Sequence, residues 1–195
     1  MSERARGRAS RGRTRPLYLL LAAGLIALGV AAAVVVSALG GGDGDDDGVR
    51  LVTSAEIAWP GGWSVAPLTD SDAAAGVLAS AGRSDPDATF LARSVAGRLP
   101  ADFDIEALAD QTVAALETEG GGVEVIEQRF GELGGRDALW ITYSQGDARA
   151  QMVILPTDSH TFYLVLRAGD ADFASVQAEG DNIVQRFVSQ IKDAN

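Results

Sequence analysis

The chain has 195 residues, with 27 acidic and 16 basic side chains, one histidine, no cysteine and a formal net charge of −11 at pH 7. The lack of cysteine excludes a disulfide framework, thiolate chemistry and a lipid-modified cysteine. The acidic balance argues against a nucleic-acid partner, because such affinity comes chiefly from arginine and lysine neutralising phosphates.

The chain is organised around an uncharged apolar run of 23 residues, 17–39. A helix of this length covers about 34 Å, which is enough to cross a hydrocarbon core of about 30 Å. Positive residues beside a membrane span stay on the cytoplasmic side, so we predict a single-pass cell-membrane protein with an extracytoplasmic C-terminal domain. A basic run can also bind nucleic acid, but its position beside a span favours a role in topology. The basic tail, residues 1–16, carries the topology determinants Arg4, Arg6, Arg8, Arg11, Arg13 and Arg15.

The end of the apolar run leaves open whether the helix is cleaved. Val36-Ser37-Ala38 resembles the small-residue site of a secretory signal peptide. Signal-peptide apolar regions have about 7–15 residues, and this run is longer, so we favour an uncleaved transmembrane anchor. The domain is exported under either interpretation.

Residues 40–48 form an acidic, glycine-rich segment that we interpret as a flexible linker. Its alternating aspartates from Asp43 to Asp47, followed by a glycine, match the opening of a calcium-binding loop. The match then fails, because the twelfth position is Ser54 where such loops have a bidentate glutamate. A calcium-responsive sensor is therefore only an alternative hypothesis.

Residues 49–195 have the length of a single domain that can bury its own core. Turn signals rich in glycine, proline and aspartate divide this part of the chain, and the short connections predict antiparallel neighbours. Apolar or alternating runs predict strands at 56–59, 63–66, 76–81, 89–95, 123–130, 137–143, 149–155 and 161–167.

Two amphipathic helices complete the expected domain. Asp102 and Asp104 supply the N-cap and first-turn negative charge of the first helix, which ends at a run of three glycines. The second helix begins at Asp170 or Asp172, and Gly180 is a point where it can break or kink. The predicted fold class is α+β, an antiparallel β-sheet sandwiched by helices (α/β/α) and preceded by one N-terminal transmembrane helix.

A succession of motifs in the domain carries a family resemblance. They are the opening Trp59-Pro60-Gly61-Gly62-Trp63, the strand with Phe90, the helix behind Asp102, the Leu-Gly-Gly-Arg-Asp-Ala turn at 133–138, the aromatic strand 162–166 and the closing helix to Phe187. In this order they resemble the PsbP-like α/β/α sandwich, and most closely the LpqN-type envelope proteins of actinobacteria. The resemblance implies a binding or accessory module and transfers no functional residue. Because the lipidation cysteine of the lipoprotein members is missing, attachment would fall to the transmembrane helix.

The sequence contains no convincing catalytic or metal-binding pattern, so we expect no enzyme activity, catalytic residue, metal or cofactor. His160 is a lone histidine before a strand, where histidine is usually solvated. The segment around Ser80 lacks the first glycine of the G-x-S-x-G nucleophile elbow, because residue 78 is a leucine. The carboxylates at Asp102, Asp104 and Glu106 are better explained as the start of a helix than as an acid/base group.

The remaining candidates for a binding surface are aromatic. Trp59, Trp63, Trp140, Tyr143 and Tyr163 combine large apolar area with a polar group, although all lie in strand-like runs, which favours packing in the core or sheet. We therefore predict a membrane-anchored module of the cell envelope whose partner, an envelope protein or a small ligand, the sequence does not identify. The alternatives are an envelope hydrolase with a carboxylate-based site and the calcium-responsive sensor.

Overall fold

The computed structural model describes residues 54, 56–97 and 99–191, so the predicted tail, span and linker lie outside the described residues. In the described part, a seven-stranded antiparallel sheet carries one long helix on each face. No helix within the described residues is both long enough and apolar enough to cross a membrane.

The strands are β1 (Ser64–Val65), β2 (Val77–Ser84), β3 (Asp87–Ala96), β4 (Val123–Leu133), β5 (Arg136–Gln145), β6 (Ala148–Pro156) and β7 (His160–Gly169). The helices are α1 (Asp70–Ala74), α2 (Ile105–Glu119) and α3 (Phe173–Gln190). The strands form one sheet in the order β1-β2-β3-β7-β6-β5-β4. Helix α2 connects the inner strand β3 to the edge strand β4, so the chain crosses one face of the sheet there.

The first two predicted strands are largely wrong. Residues 56–59 form no strand, because side chains of α3 engage their carbonyl groups. Arg186 donates a hydrogen bond to the Ala58 carbonyl, and Gln190 Nε2 donates to the Glu56 carbonyl at 2.8 Å. The next predicted strand is reduced to the two residues of β1. The other six predicted strands correspond to β2–β7.

Helix α3 covers the centre of one sheet face. Its apolar side, including Ile183 and Phe187, packs on Phe162 and Leu164 in a continuous buried cluster. The break or kink considered at Gly180 is wrong, because the helix runs without interruption from Phe173 to Gln190. Gly180 lies directly over the Leu166 side chain, which occupies the space that a Cβ would need.

Helix α2 covers part of the opposite face. Leu108 and Leu116 pack over Ile141 and Met152 in a second buried cluster, mainly above β4 and β5. The short helix α1 lies beside β2 at the other side of the sheet. In the strand order, β3 and β7 therefore lie between the strand that α1 contacts and those that α2 covers.

Candidate functional site

The five predicted aromatic residues are divided between the two faces of the sheet. Trp59, Trp63 and Trp140 belong to the core under α3, whereas Tyr143 and Tyr163 belong to the core under α2. Four of them are buried, and Trp59 is half-buried. The sheet thus separates the tryptophans from the tyrosines, so the five side chains do not line one groove.

Two tryptophans and an exposed valine form a surface at the β1 edge, which we call the tryptophan patch (Trp59, Trp63 and Val65). The rings of Trp59 and Trp63 stack with centroids 6.4 Å apart, and Trp59 meets Phe90 edge-on at 5.8 Å. Val65 pairs with Ala81, which pairs with Phe90, so these three residues share a row on one face of the sheet. Val65 is 47% exposed, which leaves apolar area at the sheet edge.

Polar contacts hold the tryptophan patch in place. Trp63 Nε1 donates to Glu179 Oε2 at 2.8 Å, and Arg83 Nη1 donates to the same oxygen at 2.6 Å. Trp59 Nε1 donates to the Ser54 carbonyl at 2.9 Å. The hydrogen bond from Trp63 and the one from Arg83 lower the pKa of Glu179, so its carboxylate is ionised at neutral pH. The ring nitrogens are therefore satisfied within the domain.

The tyrosines on the other face lie beside arginines. Burial raises the pKa of Tyr143 to about 12, with the charge of Arg167 acting in the opposite direction. Burial also raises the pKa of Tyr163, again opposed by an arginine, Arg93, which is its pairing partner across β3 and β7. Both hydroxyls are therefore protonated at neutral pH and are able to donate a hydrogen bond.

Trp140 is buried and covered by charged side chains. The Arg129 guanidinium lies 4.2 Å from the centroid of the Trp140 ring. Partial burial of the Asp181 carboxyl group raises its pKa, and the positive charge of Arg129 acts to lower it. The arrangement is a cation–π contact on the surface of the core, and it leaves Trp140 little free area.

His160 and the carboxylates do not assemble into a recognisable catalytic group in the described part of the chain. The expectation that His160 is solvated is wrong, because it is 8% exposed and its ring stacks on Phe162 at 6.1 Å. Asp104 caps α2 by accepting a hydrogen bond from the Glu106 backbone at 2.8 Å. Among the described residues, no three acidic or histidine side chains are grouped as metal ligands would be. The acidic linker considered for calcium lies outside them.

Comparison with known proteins finds similar solved structures but no similar sequence. No protein-family model and no curated protein sequence matches the chain. The solution structure of CyanoP, the PsbP of Synechocystis sp. PCC 6803, is similar with a TM-score of 0.50 and 12% identity over 78% of this chain and 96% of CyanoP. LpqN, a protein involved in cell envelope biogenesis of Mycobacterium tuberculosis, is similar with a TM-score of 0.52 and 14% identity over 78% of this chain and 88% of LpqN.

These similarities concern the fold alone, given the low identities. The described domain is an α+β protein with a PsbP-like fold, which confirms the fold expected from the sequence motifs. The transmembrane anchor and an actinobacterial origin remain predictions.

Proposed function

We propose that the protein is a membrane-anchored, extracytoplasmic binding or accessory module of the cell envelope, without catalytic activity. The arginine-rich tail before the 23-residue apolar run supports the anchor and its orientation. The fold shared with LpqN, itself involved in envelope biogenesis, supports the envelope setting. The observation that carries the binding role is the tryptophan patch at the β1 edge.

The tryptophan patch has the properties of a small recognition surface. Trp59 is half-buried, and the nearby edge residues Val65 and Leu68 are among the few large apolar side chains exposed in the described domain. Tryptophan is enriched among the residues that dominate binding energy, because its rigid ring buries much area at low entropic cost. Since hydrogen bonds fix both rings, a partner meets a preformed surface. We expect this partner to be an envelope protein or a small ligand with an exposed apolar group.

Two carboxylates of the domain, Glu179 and Asp170, are held by neighbouring side chains. A glycoside hydrolase places two carboxyl groups about 5–10 Å apart across an open cleft. Glu179 is instead hydrogen-bonded to Trp63 and Arg83, and Asp170 forms a salt bridge with Arg149. These contacts give the two carboxylates structural roles.

Site-specific photo-crosslinking of the full-length chain in native membranes tests the binding role. A photoreactive residue at Val65 should give a discrete partner adduct, which the Trp59→Ala substitution should reduce at least fivefold. Ile126, which is 50% exposed on the opposite edge strand β4, is the matched control position and should give no such adduct. Equal adducts at both positions, or none at Val65, would contradict the proposal.

A further inference from the structure

Arg167 forms no salt bridge with another described residue, unlike Arg83 and Arg149. Salt bridges join Arg83 to Glu179 at 2.6 Å and Arg149 to Asp170 at 2.7 Å. Arg167 Nη1, in contrast, is buried and has no hydrogen-bond partner in the described structure. Native proteins rarely leave a buried charged donor unsatisfied, so this nitrogen indicates a missing partner.

The surroundings of Arg167 contain further donors. Arg167 pairs with Thr89 on one side and with Ala150 on the other, and Ala150 pairs with Tyr143. Paired residues share a face, so all four lie on the face that carries α2. The Cα atoms of Arg167 and Tyr143 are two strands apart, or about 10 Å, and the small Ala150 leaves room above it for the two long side chains to approach each other. Consistent with this, the Arg167 charge acts on the Tyr143 hydroxyl.

Within this part of the sheet, Arg167 and Thr89 are partly exposed, whereas Tyr143 beside them is buried. Helix α2 lies mainly over β4 and β5, and α1 lies beside β2, so in the strand order β7 and its neighbour β3 lie between the strands that these helices contact. The register places Asp87 diagonally across from Arg167, but the two form no salt bridge. Leu91 and Val165 pair with each other one row further along the strands, and both are buried in the core under α2.

From these contacts we propose that Arg167, with the Tyr143 and Thr89 hydroxyls beside it, binds a phosphate group. The planar guanidinium presents two parallel N–H donors to such a group, and the hydroxyls supply the remaining hydrogen bonds. The phosphate is either free or the head of an ester. This inference goes beyond the binding role proposed above and concerns the opposite face of the sheet from the tryptophan patch.

Calorimetric titration of the full-length chain in a neutral detergent, at constant ionic strength, tests the phosphate site. The probes are inorganic phosphate and hexyl phosphate. The wild-type chain should bind, and Arg167→Gln should weaken the affinity at least tenfold. Arg149→Gln is the matched control, because Arg149 points from the other face of the sheet and is paired with Asp170. Circular dichroism checks folding, and if Arg167→Gln fails to fold, Tyr143→Phe and Arg167→Lys should each weaken binding at least threefold.

Each outcome bears on the phosphate site. Tighter binding of hexyl phosphate than of inorganic phosphate supports an ester ligand, and equal affinities support free phosphate. No binding of either probe at millimolar concentration, or equal affinities in the wild-type and Arg167 variants, would overturn the proposal. If the Val65 cross-link persists in those cases, only the phosphate site fails, whereas loss of the cross-link with retained phosphate binding would contradict the tryptophan patch alone.

Discussion

Glu179 is the residue on which the tryptophan patch depends most directly. It joins three separate parts of the chain, because it accepts hydrogen bonds from Trp63 before β1 and from Arg83 on β2 while it sits on α3. These contacts hold its folded-state pKa below the ordinary value of 4.5. The ionised carboxylate therefore stabilises the fold above about pH 4.5, and this contribution is lost as the pH falls through the lowered folded-state pKa.

Glu179→Gln should destabilise the protein in a pH-dependent manner. The amide keeps one acceptor oxygen but loses the charge, so we expect the free energy of unfolding at pH 7 to fall by roughly 1 kcal/mol, after allowance for partial solvent exposure. The difference from the wild type should shrink toward pH 3, as measured by urea denaturation. Glu117→Gln on the exposed side of α2 is the charge-matched control, with an expected change within about 0.5 kcal/mol. A deficit that is equal at both pH values would argue against the ionised carboxylate.

The sequence alone predicts only some of the residues at the two proposed sites. Trp59 and Trp63 are candidates because they flank a turn. Glu179 lies 116 positions from Trp63, and no local sequence pattern connects the two. Arg167 leaves a readable signal, since the alternation of Tyr163, Val165 and Arg167 puts a charge at a position where the strand faces the core. Its lack of a partner depends on the other strands and cannot be read from the sequence.

Among the secondary-structure elements, the start of α2 shows which of two candidate aspartates, Asp102 or Asp104, is the N-cap. Asp104 accepts a hydrogen bond from the Glu106 backbone, whereas Asp102 is exposed before the helix. We expect Asp104→Ala to lower the free energy of unfolding by about 1 kcal/mol, because the helix loses its N-cap. Asp102→Ala should change it by less than about 0.5 kcal/mol. Chemical denaturation of both variants checks this, and equal losses would show that capping is not specific to Asp104.

Gly180 tests how closely α3 packs on the sheet. Gly180→Ala gains about 1 kcal/mol of helix propensity but forces a Cβ into Leu166, and overpacking of this kind costs about 1–3 kcal/mol. We therefore expect a net loss of roughly 1 kcal/mol in thermal or urea denaturation. Ala178→Gly on the exposed side of the same helix reports propensity alone and should lose about 1 kcal/mol. A more stable Gly180→Ala variant would mean that Leu166 moves aside freely.

The elements that the sequence predicts well are those whose own residues determine them. Strands β2–β7 follow from apolar alternation between turns, and both long helices follow from their apolar sides. A side-chain cap is present in α2, whereas Asp172 at the start of α3 makes no capping hydrogen bond. Residues 56–59 fail as a strand because α3, more than 110 residues later, engages their carbonyl groups. Helix α1 has a capping box between Thr69 and Asp72, but it buries no residue and so shows no apolar periodicity.

At the scale of the whole molecule, the layers are predictable but the strand order is not. The apolar run in β6, Met152–Leu155 of the sequence, indicates a strand covered on both faces, which fits a helix on each side. Short turns fix the neighbours within each hairpin. The central pairing of β3 with β7 joins residues such as Thr89 and Arg167, and this long-range contact comes from packing of the complete sheet.

The proposed function requires that the folded domain lies outside the cytoplasm and stays attached to the membrane through residues 17–39. The chain has no cysteine, so single cysteines at Ser10 in the tail and at Ser189 on the exposed side of α3 can be labelled without background. In intact cells, a membrane-impermeant maleimide should label Ser189→Cys but not Ser10→Cys, and lysis should expose both, with all labelled protein in the membrane fraction. Labelling of Ser10→Cys in intact cells, protection of Ser189→Cys, or release of the domain from the membrane would contradict the account.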